Sequence, residues 1–111
     1  MRPFRLTIEW DVPLGQARLL TAALYSIAAE TRTTRGCVGC SVAADLANRG
    51  TVHYTEEWQT EEHLRLRMKF DTFNQLMRLI ENATKSPRIE FTLADETRGF
   101  DFVAEVRAPT R

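Results

Sequence analysis

The chain has 111 residues, 43% hydrophobic and 27% charged, and its fifteen basic and fifteen acidic side chains cancel. That is ordinary soluble composition for one domain, enough to bury about two thirds of the unfolded surface without staples. There is no basic excess for nucleic acid or an anionic membrane, and no apolar run is long enough to cross a bilayer.

The opening segment MRPFRLTIEW enters strand-like alternation at once, with no charged-then-apolar leader. The expectation is therefore a cytoplasmic protein with one domain over 1–111 and an ordered core over about 4–106. From Phe4 to Trp10, Phe4, Leu6, Ile8 and Trp10 alternate with Arg5, Thr7 and Glu9, the pattern of a half-buried strand. Asp11 to Gly15 breaks it. A helix follows from about Gln16 to Thr31, with Ala17, Leu20, Leu24, Ile27 and Ala28 on one stripe, and TRTTRG ends it at Gly36.

Cys37 to Ala44 reads as a second strand, and the Asn48 and Gly50 of Leu46 to Gly50 suit a hairpin loop. The spacing Cys37-Val38-Gly39-Cys40 invites a redox or zinc reading. In a regular strand, however, residues three apart point to opposite faces and lie about 10 Å apart, too far for a disulfide. No further ligand pair follows for zinc, so both read as small buried residues.

Thr51 to Gln59 is the third strand, with Val52, Tyr54 and Trp58 on one face and His53, Thr55 and Glu57 on the other. Glu56 interrupts the apolar row. Thr60 is a good helix cap, with Glu61 and Glu62 at the positive end of the dipole. Leu64 and Met68 form one apolar stripe; Phe73, Leu76, Met77 and Ile80 form another. A five-residue gap separates the two, which predicts two short helices or one kinked helix, with Asp71 as a cap for the second. Alternation returns over Arg88 to Asp95 and again over Phe100 to Val106, so two further strands are expected before a loose tail.

The order β-α-β-β-α-β plus an extra C-terminal strand is the ferredoxin-like α+β arrangement, an antiparallel sheet with both helices on one face. The other face, carrying among others Arg5, Thr7, Glu9, Ser41, His53, Thr55, Glu57, Arg88 and Glu90, is left to water or to a second subunit.

Gly36-Cys37 opening a strand, Glu56-x-Trp58 ending the next, and a helix entered two residues later resemble the antibiotic biosynthesis monooxygenase (ABM) superfamily. The likeness in layout runs from about Phe4 to Leu93. It implies a homodimeric α+β barrel built sheet on sheet, with the uncovered face as dimer core and pocket. It also implies activities among cofactor-independent oxygenation of quinols and anthrone-type compounds, haem degradation, and isomerisation. Quinol-oxygenase-like members resemble one another in carrying a His nine residues after the Trp and another five later. Here those positions hold Arg67 and Thr72. The haem-degrading branch has an aromatic at the first position and a haem ligand ten residues beyond. Arg67 and Met77 stand there instead, and Met77 belongs to a core stripe, so haem chemistry is disfavoured.

The resulting expectation is a small-molecule monooxygenase without cofactor or metal, acting on a planar aromatic or quinol. His53 is the candidate base, Arg67 the candidate anion stabiliser, and Tyr54 and Trp58 a stacking wall. Each also has a plainer account: His53 paired to a neighbouring Glu, Tyr54 and Trp58 packed under a helix, Arg67 and His63 on a solvated helix face joined by pairs such as Glu61–Arg65 and His63–Arg67. The alternative is a non-catalytic dimeric module that binds a small ligand or serves assembly.

Overall fold

A computed structural model describes residues 4–45, 50–94 and 96–109. The elements are β1 (Phe4–Asp11), α1 (Leu14–Arg32), β2 (Cys37–Ala44), β3 (Thr51–Trp58), α2 (Glu61–Arg67), α3 (Asp71–Glu81), β4 (Arg88–Thr92), β5 (Thr97–Arg98) and α4 (Phe100–Arg107). The five strands form one antiparallel sheet in the order β2-β3-β1-β4-β5. This is the ferredoxin-like α+β fold with an added edge strand. Most of the expected 46–50 hairpin loop lies outside the described residues, as does the end of the tail.

The pleat sorts the side chains as their alternation requires. Leu6, Ile8 and Trp10 of β1, with Val52, Tyr54 and Trp58 of β3, are 0–1% exposed and pack against the helices. The predicted α1 stripe is the buried one, with Leu24 and Ala28 sealed and Leu20 and Ile27 nearly so. Thr60 caps α2, accepting from the His63 backbone N–H at 3.1 Å. The five-residue gap appears as a break between α2 and α3. There Met68, Lys69 and Phe70 donate to carbonyls three residues back, a tighter turn that shifts the helical phase. Leu64 and Met68 can then enter the core on one side of the break, and Phe73 and Leu76 on the other. Asp71 sits in the first turn of α3, and the cap position is Phe70, which makes no side-chain cap bond.

Two expectations are corrected. The Phe100–Val106 run is not a strand but α4. Its buried members are Phe102 and Val103, with Val106 packed beside them, which is i, i+1, i+4 spacing and one face of a helix. Gly99 leads in, Asp101 accepts from the Gly99 N–H, and the extra strand is the two residues Thr97–Arg98 just before. Second, Cys37 and Cys40 do not point to opposite faces. A β-bulge between Cys37 and Gly39 inserts a residue, so Cys37 pairs with Trp58 and Cys40 with Glu56, both facing the helices. Both thiols are free, and burial raises their pKa, to about 11 for Cys40.

Gly36 has φ +90°, and a Cβ there would lie 2.3 Å from the His63 ring, so this turn needs glycine. Among the described residues no helix is long and apolar enough to cross a membrane.

Candidate functional site

The sheet has two chemically different faces, and the candidate residues divide between them. On the helix side, Glu56 is carried into the core because it shares the parity of Tyr54 and Trp58. Its carboxylate is fully buried and accepts from the Tyr54 hydroxyl at 2.5 Å, Trp58 Nε1 at 2.9 Å, and Arg67 Nε and Nη2 at 2.9–3.1 Å. Arg67, the last residue of α2, is fully buried too. Its Nη1 donates to Thr72 Oγ1 at 2.5 Å and its Nη2 also to Thr31 Oγ1 at 3.2 Å, and the Thr31 hydroxyl donates to the Ile27 carbonyl at 2.7 Å.

In this cluster the charges neutralise one another and each carboxylate oxygen has donors, the condition under which a buried ion pair is tolerated. Burial works against the Arg67 charge, but Glu56 outweighs it and holds the guanidinium above its ordinary pKa. Burial, reinforced by the neighbouring Glu56 charge, pushes the Tyr54 hydroxyl far up, so it stays a protonated donor. The cluster is a sealed polar core, closed to substrate in this arrangement.

Among the described residues no helix covers the opposite face. Cross-strand register lays out rows across it: Ala43, His53, Glu9, Arg88; then Ser41, Thr55, Thr7, Glu90; then Gly39, Glu57, Arg5, Thr92. Glu9 is the hub of the first row, with its Oε1 3.6 Å from His53 Nδ1 and its Oε2 2.7 Å from Arg88. His53 keeps 38% of its side chain exposed, so the imidazole is backed by a carboxylate and open in front. Arg5 and Glu57 approach at 3.9 Å in the third row. Among the described residues no group of three or more His, Cys, Asp or Glu could hold a metal.

A family model described as "Antibiotic biosynthesis monooxygenase", ABM, matches residues 3–79. The chain belongs to the ABM family. Solved structures with the same fold include a conserved protein from Methanosarcina mazei Go1, 22% identical with TM-score 0.73 over 83% of this chain and 92% of that one. A Deinococcus radiodurans protein titled "putative antibiotic biosynthesis monooxygenase" is 21% identical, with TM-score 0.73 over 84% and 93% of the two chains. A Bacteroides thetaiotaomicron protein of unknown function is 20% identical, with TM-score 0.73 over 82% and 96%. At such identities the likeness carries the fold. No curated protein matches the sequence.

Against the ABM layout, the four candidate residues do not form one pocket. Tyr54, Trp58 and Arg67 come together around Glu56, whereas His53 lies on the other side of the sheet. Tyr54 and Trp58 lie under the helices, as their plainer account has it, and Arg67 is buried in the core rather than on a solvated helix face. The Glu61–Arg65 pair is present at 2.7 Å, but His63 bonds Thr60 rather than Arg67. The positions where quinol-oxygenase-like ABM members carry two histidines are here joined to each other by the Arg67–Thr72 bond.

Sequence reasoning did not find Glu56, Thr31 or Thr72 as partners of Arg67. The signal for Glu56 was present, as an acid in an apolar row. It also did not find a cleft of about 360 Å³ where β1 ends between α1 and α3, lined in part by Trp10, Leu20 and Leu79. No motif marks it; it arises where two helices splay.

Proposed function

We propose that this ABM chain is a homodimeric, cofactor-independent monooxygenase acting on a small planar phenol, quinol or anthrone at the open sheet face. The observation that carries the reading is the His53–Glu9–Arg88 row, a carboxylate-backed imidazole on a face that no helix covers. Membership of the family supports the reaction class. The mixture of positive and negative side chains on the bare face suits a second copy laid against it, which would enclose the row and exclude water.

The chemistry asks little of the protein. His53 takes a proton from the acidic C–H or O–H of the substrate, with Glu9 stabilising the imidazolium. The electron-rich anion passes one electron to dioxygen, and the radical pair combines into a peroxide at carbon. His53 returns the proton to the peroxide, which loses water as the carbonyl forms. For an anthrone-type methylene the balance is CH2 plus O2 to C=O plus H2O, with oxygen as the sole oxidant.

A second reading, a non-catalytic dimeric module, is favoured by the sealed Glu56 cluster, since an interior filled this completely leaves no room for substrate beside Trp58. Oxygen uptake with a panel of hydroquinones and anthrones, comparing the wild-type chain with His53→Ala, separates the two. The oxygenase reading expects turnover that falls at least about 100-fold in the variant, the usual scale of general-base catalysis. Equal rates remove His53 from the mechanism, and no turnover across the panel leaves the module.

A further inference from the structure

Trp10 closes the apolar row of β1 and is 1% exposed, while Leu20 beside it is 9% exposed. These two form the deep wall of the 360 Å³ cleft, and the exposed Gln16, Leu19 and Asn82 form its rim. Three features define what could occupy it. The lining carries no charged side chain, only the carboxamides of Gln16 and Asn82. The volume lies at the small end of ligand pockets, too small for a docked helix, which needs anchors over two turns. The Trp10 indole N–H is buried without a hydrogen-bond partner among the described residues. A buried donor without an acceptor is uncommon, and here it belongs to a residue that lines the cleft.

We propose that this cleft binds one small, neutral, largely apolar molecule bearing a hydrogen-bond acceptor, of the class of aromatic ketones and esters. The apolar body would lie on Trp10 and Leu20 and under Leu19, whose side chain is otherwise 75% exposed. The acceptor would be taken by the indole or by a rim carboxamide. The site is separate from both clusters already described. Trp10 and Glu9 are consecutive in β1, so the cleft and the His53 row are on opposite faces. Trp10 pairs with Val52 and Leu6 with Glu56, so the cleft and the Glu56 carboxylate are separated by four residues of the ladder, about 13 Å by strand rise. The proposal thus stands whether or not the chain oxygenates anything.

The test uses prodan, a neutral naphthyl ketone whose emission shifts to the blue in apolar surroundings, titrated into the full chain. The expected result is a saturable blue shift with one probe per chain, weakened at least tenfold by Leu19→Glu, which places a charge on the rim at an already exposed position. Ala83→Phe, which fills the cleft from the end of α3, should act likewise. His53→Ala should bind prodan as the wild type does. So should Gln75→Glu, which alters a neighbouring opening on the same helix seam lined by Ser26, Gln75 and Arg78. Absence of saturable binding would overturn the proposal. So would equal affinity in wild type and Leu19→Glu, or a loss in Gln75→Glu as large as that in Leu19→Glu.

Discussion

Replacing Arg67 by Met probes the sealed cluster most sharply. The substitution keeps an unbranched apolar stem and removes the guanidinium, leaving the fully buried Glu56 carboxylate with only Tyr54 and Trp58 as donors. Removing one partner of a buried pair costs about 3–5 kcal/mol, because the other charge stays out of water. Against a total of about 5–15 kcal/mol for a domain, that is roughly a fifth or more of the stability. It corresponds to a fall in melting temperature of about 12–20 °C at roughly 4 °C per kcal/mol. Urea unfolding followed by circular dichroism measures it. The double variant Glu56→Gln with Arg67→Met should be more stable than Arg67→Met alone, because the carboxamide oxygen still accepts a hydrogen bond and no charge is left unpaired. A single-variant cost below about 1 kcal/mol would refute the closed-cluster account. So would a double variant as unstable as the sum of the singles.

Three further outcomes follow from the same geometry. Because the fold raises the pKa of the Tyr54 hydroxyl, its contribution is intact below the unfolded value of about 10 and is lost as pH climbs beyond it. Stability should therefore decline above about pH 10, and Tyr54→Phe should flatten that decline while leaving the part from Cys40, which starts nearer pH 9. Arg65 and Arg98 both contact Glu105 at 3.2 Å and stack on Phe102, so Glu105→Gln should speed amide exchange in α4 without changing exchange in β1 or β3. Gly36→Ala, with φ +90° and the His63 ring in the way, should cost about 1–3 kcal/mol in denaturant titrations, and a neutral result would contradict the tight turn.

Periodicity was sufficient for most of the architecture because the core is built from clean stripes. The alternating rows of β1 and β3, the α1 stripe and the phase break before Phe73 are each buried where their spacing puts them. It misread α4 because Phe100, Phe102, Ala104 and Val106 satisfy a strand while Phe102, Val103 and Val106 satisfy a helix; contact with Phe91, 5.0 Å between ring centres, and with the arginines decides between them. It misread the cysteines because a single inserted residue reverses parity, and nothing in Cys-Val-Gly-Cys announces a bulge. His53 was legible from parity alone. Arg67 was singled out for its position and assigned the wrong surroundings, since its partner Glu56 is eleven residues away and the turn after α2 fixes where the side chain points. The Trp10 cleft depends on the gap between two helices, which no local pattern encodes.

The central claim is that chemistry belongs to the bare face of the sheet and that the Glu56–Arg67 face is structural. A crystal of the chain soaked with a non-oxidising hydroquinone analogue measures this directly. The account predicts two copies laid sheet against sheet, with the phenolic oxygen within about 3 Å of the His53 imidazole. A ligand lodged beside Glu56, or an interface packed solid over His53, would contradict it.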